Sequence, residues 1–123
     1  MLFRSFATIR REGVQGVVVG ITGLLLEYRD QIVQFATREK LPAVYSRREY
    51  VAAGGLISYG GDIQFVYLRA ADYAHRILNG AKPAELPVEQ ISQVRMVLNL
   101  KTARALGIKI PASVRLRADE VIE

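Results

Sequence analysis

Residues 54–62 read Gly-Gly-Leu-Ile-Ser-Tyr-Gly-Gly-Asp (GGLISYGGD), a short apolar run bracketed by two glycine pairs and followed at once by a carboxylate. Such a run has the length of a strand rather than a helix, and glycine pairs punctuate local structure. The first pair closes a segment in which Ser46-Arg47-Arg48-Glu49 fits a capping box, and Gly54 suits the left-handed stop of a short helix running through Ala53. The second pair leads through Asp62 into the longest helical pattern, Ile63–Leu78, with Val66, Ala70, Tyr73 and Ile77 on its inner side and Arg69, Asp72, Arg76 and Asn79 on its outer side. Helix stop, strand, tight loop and helix start therefore follow one another in a single short stretch.

The same alternation extends both ways. Upstream, Gln15–Ile21 (QGVVVGI) is a β-branched run that suits a strand buried on both faces. Glu27–Lys40 then shows a helical period, with Tyr28, Ile32, Phe35 and Ala36 as its apolar stripe, and Ala43–Tyr45 is a second strand. The N-terminal stretch MLFRSFATIRREG reads as an amphipathic helix with Leu2, Phe3, Phe6 and Ala7 on one side, and it lacks a signal-peptide core. Downstream, Ala81–Gln90 carries two prolines and has the character of a linker. Val94–Leu98 is a fourth strand, Asn99 caps a helix over Lys101–Leu106, a turn of helix follows Pro111, and Val121-Ile122 suits an edge strand. Strand and helix in alternation predict an α/β fold: a Rossmann-like parallel sheet flanked by helices and built from right-handed βαβ units.

Composition narrows the function. The 123 residues suffice for one small domain, and half of them are hydrophobic. The formal charge of +5 is spread along the chain, with tight pairs only at Arg10-Arg11 and Arg47-Arg48, so it describes a solvated surface rather than a nucleic-acid footprint. Cysteine is absent and His75 is the only histidine, which leaves no thiolate chemistry and little means of holding a metal. No apolar run approaches the ~20 residues that span a bilayer. No glycine loop matches a dinucleotide or P-loop pattern, and no serine has a histidine to form a triad. Binding without chemistry is the expected class, with no cofactor and no metal.

In open parallel sheets, ligands bind beyond the carboxyl ends of the strands. Three loops lie there: residues 20–24, residues 45–50 and residues 59–62. They offer Thr22, Gly23, Ser46, Arg48, Glu49, Tyr50, Tyr59 and Asp62, a polar and aromatic set suited to a small zwitterion or polyol. Each has a structural alternative. Asp62 suits the N-cap of the long helix, Glu49 the capping box, Tyr50 and Tyr59 half-buried sheet edges, and Arg47-Arg48 a solvated helix face.

Three runs carry a resemblance. REYVAAGGLISYG (48–60), AADYAHRILNGAKPAELPVEQ (70–90) and VLNLKTARALGIKIPASVRLRADEVIE (97–123) closely resemble the C-terminal part of ABC transporter substrate-binding proteins, in the subgroup associated with tryptophan and tyrosine uptake. The match runs from about Phe6 to the end, and Leu98–Glu123 is its most specific part. The resemblance implies a type I periplasmic-binding-protein fold, two Rossmann-like lobes closing on hinge strands. It implies further that this chain is a fragment, with residues 1–80 forming most of the C-terminal lobe. Residues 81–123 would then supply the hinge crossing, a strand returned to the first lobe, a helix and the C-terminal tail. Gly60-Gly61-Asp62 fits a Gly-x-Asp motif found after the third strand of relatives, which makes Asp62 a candidate ligand contact. Thr22-Gly23 occupies the first cleft loop, where relatives have aromatic- or proline-rich versions. The implied function is the solute-binding component of an ABC importer, acting in the periplasm or another extracytoplasmic space, soluble or membrane-anchored. Its partners would be a small organic ligand, possibly an aromatic amino acid, and a membrane permease, with no nucleic acid and no membrane insertion of this segment. The alternative is the ligand-sensing domain of a transcriptional regulator of the same fold; an enzyme of Rossmann-like shape is the weakest reading.

Overall fold

The computed structural model describes residues 2–90 and 92–123, with the side chains of residues 4–90 and 92–123. The expected places of Leu2 and Phe3 on the N-terminal stripe therefore lie outside the described residues. The elements are α1 (Leu2–Glu12), β1 (Val17–Val19), α2 (Gly23–Glu27), α3 (Arg29–Arg38), β2 (Ala43–Tyr45), α4 (Arg48–Ala52), β3 (Ile57–Gly61), α5 (Ile63–Leu78), β4 (Val94–Asn99), α6 (Leu100–Ala105), α7 (Ala112–Arg115) and β5 (Glu120–Ile122), with a 3₁₀ turn at Pro83–Glu85.

The five strands form one sheet in the order β1-β2-β3-β4-β5. Parallel pairing joins β1 to β2, β2 to β3 and β4 to β5. The sheet is thus α/β and mostly parallel, as expected, with one departure: β4 runs antiparallel to β3, in a register that sets Ser58 against Val97 and Gly60 against Arg95. β4 is thus the direct neighbour of β3 in the sheet.

A core cluster lies on one face of the sheet. Val19, Ala43 and Tyr45 meet Ile32, Val33 and Ala36 of α3 and Tyr50 of α4. Tyr45 and Tyr50 stack at 4.8 Å, and burial pushes the Tyr45 hydroxyl up to about 12. Outside them, α1 lays Phe6 against Phe35 at 4.0 Å. On the opposite face β1 is open: Val18 is 81% exposed, so the expectation of a strand buried on both faces does not hold. Gly54 ends α4 with φ +104°, in the left-handed region expected of a helix stop.

The longest helix differs from the rest. Although α5 is amphipathic, none of its 16 residues is buried. It is fastened to the extended segment 81–90 by polar contacts. Arg69 makes two bonds to Glu89, the Tyr73 hydroxyl donates to the Pro87 carbonyl at 2.6 Å, and the Arg69 and Arg76 guanidinium groups flank the Tyr73 ring at 5.6 and 5.7 Å. Helix and strap thus stand as one arm leaving the sheet at Asp62 and rejoining it at β4.

Candidate functional site

The carboxyl ends of β2 and β3 are drawn together by a close backbone approach. A Cβ added to Gly60 would lie 2.2 Å from the Ser46 carbonyl oxygen, so only glycine lets β3 pass under the loop that follows β2. Above this contact a hollow of about 240 Å³ opens, walled by Ser46, Arg47, Arg48 and Glu49 from the β2–α4 loop. Ser58 and Gly60 of β3, Arg95 and Val97 of β4, and Asp62 with Gln64 at the start of α5 complete it. A smaller hollow of about 70 Å³ adjoins it, lined by Thr22, Gly23 and Tyr50 and sharing Ser46 and Arg47.

Asp62 stands at the junction of sheet and arm. Its backbone N–H donates to the Gln93 carbonyl at 3.0 Å, which fixes it beside the incoming β4. Its Oδ1 accepts from the N–H groups of Gln64 at 2.9 Å and Phe65 at 3.4 Å, the N-cap role expected of it. Oδ2 takes no part in the cap and lies 3.7 Å from Arg95 Nη1. One oxygen is therefore structural, while the other faces a cation.

The β2–α4 loop corrects two expectations. The capping box does not form: Arg47 occupies the N-cap position without a side-chain cap bond, and the Ser46 hydroxyl donates instead to the Gly20 carbonyl at 3.3 Å. The physical reason is that the hydroxyl is taken up by the loop after β1, while the helix starts one residue later than the pattern implies, with Arg47 at its N-cap. Arg48 is not simply solvated either. It donates two bonds, 2.7 and 2.6 Å long, to Glu120 on β5 and holds that carboxyl below the usual glutamate range. Glu49 takes a 3.3 Å bond from Arg47. Burial raises its carboxyl, but its own backbone N–H and Arg47 outweigh that and leave it lowered.

Of the residues singled out from sequence, Arg48, Glu49 and Asp62 meet in the main hollow, and Thr22, Gly23 and Tyr50 in the smaller one. Thr22 also caps α2 by accepting from the Leu25 N–H at 3.1 Å. Tyr50 is 1% exposed, with its ring in the core stack. Tyr59 joins neither hollow: it alternates with the buried Ser58 and projects from the other face of the sheet, 54% exposed. Arg47, Ser58, Gln64 and Arg95 complete the wall without having been singled out. The Arg47 Nε is buried without a hydrogen-bond partner among the described residues. Arg95 reaches the site only through the antiparallel register of β4, for which the sequence around it carries no signal.

A profile of the ABC transporter substrate binding protein family matches residues 4–122, nearly the whole chain. The chain belongs to this family. Its fold is shared by solved structures of the same kind. A Streptococcus pneumoniae ABC domain in complex with L-tryptophan is 32% identical and superposes with a TM-score of 0.84, over 94% of this chain and 39% of its own. A conserved domain protein from Vibrio cholerae is 27% identical with a TM-score of 0.86, over 96% of this chain and 40% of its own. A ligand-free, open substrate-binding protein with adhesive properties from Clostridium difficile shares the fold at 20% identity and a TM-score of 0.63. The chain spans about two fifths of the length of these structures. No curated protein matches it. Among the described residues, no helix is long and apolar enough to cross a membrane.

Proposed function

We propose that this chain forms the greater part of one wall of an amino-acid binding cleft, in a non-enzymatic solute-binding component that delivers its ligand to an ABC permease outside the cytoplasm. The observation that carries this reading is Asp62. It has one carboxylate oxygen spent on α5 and the other turned into a hollow at the carboxyl ends of two parallel strands. A carboxylate so placed suits a ligand ammonium, and the likeness to a domain that holds L-tryptophan makes an aromatic amino acid the favoured ligand. Glu49 and the Thr22-Gly23 loop are proposed to line the rest of the wall, with Arg48 fixed by Glu120 as its frame.

The arm gives the closing motion a place. The chain leaves the sheet at Gly60–Asp62 and returns through residues 92–94, so the crossing lies at the open end of the β3–β4 ribbon. The strap 81–90 travels with α5. The apolar side of α5, unburied here, would pack in a first lobe, and hinge movement at the ribbon would close that lobe over the hollow.

Calorimetric titration of L-tryptophan and L-tyrosine into the full-length natural product that carries these residues tests the reading. Loss of a charge-assisted contact should make Asp62→Ala weaker by about tenfold or more. Binding as tight as wild type by that variant removes Asp62 from the site, and no binding of either amino acid by wild type removes the proposed ligand class.

A further inference from the structure

We propose that Arg95 selects zwitterions over simple amines at this cleft, by standing on Asp62 as a resident cation and turning to the ligand's carboxylate when an ammonium displaces it. This rests on the reading of Asp62 given above and deepens it by assigning a residue that discriminates between ligands.

The three arginines of the hollow are held in different ways. Arg48 is clasped by Glu120 through two short bonds and cannot leave without breaking both. Arg47 is bonded to Glu49 and three-quarters buried, with its side chain 24% exposed. Arg95 is different. Its Nη1 lies 3.7 Å from Asp62 Oδ2, beyond hydrogen-bond length, and its side chain is 47% exposed. A contact of that kind is coulombic, screened and weak, so it exchanges readily.

The exchange is directed by which oxygen is available. Asp62 Oδ1 is committed to the N–H groups of Gln64 and Phe65, so an incoming ammonium must take Oδ2, the atom Arg95 faces. An ammonium at Oδ2 sets a second cation beside a guanidinium that no hydrogen bond holds there, and their repulsion favours its turning away. Glu120, whose carboxyl Arg95 also helps to lower, is already engaged by Arg48. A ligand that carries a carboxylate next to its ammonium offers the displaced guanidinium a fork-matched partner. A ligand with the ammonium alone does not. Gly60, directly across the ladder from Arg95, contributes no side chain of its own to that space. Arg95 therefore opposes amines and favours amino acids through the same movement.

The test uses calorimetric titration of the full-length natural product with L-tryptophan and with tryptamine, which lacks the carboxylate. Wild type should bind L-tryptophan more tightly. Arg95→Gln should weaken L-tryptophan about tenfold, as loss of a charge-assisted pair implies, and should strengthen tryptamine. Arg95→Lys should keep part of the preference, and thermal melts of both variants confirm folding. Opposite shifts for the two ligands support the proposal. Equal shifts, or none, overturn it while leaving the amino-acid reading intact. Wild type that binds neither ligand overturns that reading and this proposal with it.

Discussion

The sheet half of the molecule and the arm formed by α5 with its strap use similar residues to different ends. In the sheet half, Tyr45, Tyr50, Val51, Val97 and Leu98 are all under 2% exposed or at that limit, and helix and strand bury each other. In the arm, Tyr67, Leu68 and Leu78 are 70%, 70% and 86% exposed, and the structure is tied by arginine, tyrosine and glutamate instead. One half is held by packing and the other by polar fasteners on an amphipathic helix whose apolar side is not buried by the described residues. The candidate site lies on the seam, where Asp62 ends one half and starts the other.

That contrast can be broken most forcefully in the core. Leu98→Ala should cost about 3 kcal/mol, the usual cost of emptying a buried leucine site, read as a lower urea midpoint. A loss below ~1 kcal/mol would mean that the core is not packed as described. Next in size is the Arg48–Glu120 pair, half-exposed and worth at most about 1 kcal/mol. Because the folded state lowers the Glu120 carboxyl below its ordinary 4.5, the pair's contribution is full above that pH and fades as the pH falls through the lower folded value. The stability gap between wild type and Arg48→Ala should therefore be constant at neutral pH and shrink in acid. A gap that widens in acid contradicts the assignment.

The arm should respond in the opposite way. Leu68→Ser and Leu78→Ser should change the unfolding free energy of the 123-residue chain by less than about 0.5 kcal/mol, since these side chains are exposed. A loss comparable with Leu98→Ala would show that α5 is packed after all. Smallest in global terms, Arg69→Ala should leave the urea midpoint in place yet speed hydrogen exchange at the Glu85 and Leu86 amides, which are bonded within the strap. Unchanged exchange there would mean that the fasteners do not hold it.

The alternation of helix and strand was legible because local signals agreed: glycine stops, β-branched runs and the caps at Asp62 and Asn99 all lie where the chain turns. The direction of β4 was not, since a strand's own residues carry no mark of parallel or antiparallel pairing, and Arg95 was hidden with it. Period-2 phase explains Tyr59. Once Ser58 takes the covered face, the tyrosine must take the other, whatever its chemistry. The capping box at Ser46 failed for a tertiary reason, the bond that its hydroxyl makes to the Gly20 carbonyl 26 residues away. Such long-range contacts are what a local pattern cannot contain.

Whether the hollow between the β2–α4 loop and Asp62 receives an amino acid can be read by hydrogen exchange of the full-length natural product with and without L-tryptophan. Ligand should protect the amides of residues 47–50 together with those of residues 62–65. Binding that leaves both segments unprotected, or protects only residues remote from the carboxyl ends of β2 and β3, would contradict it.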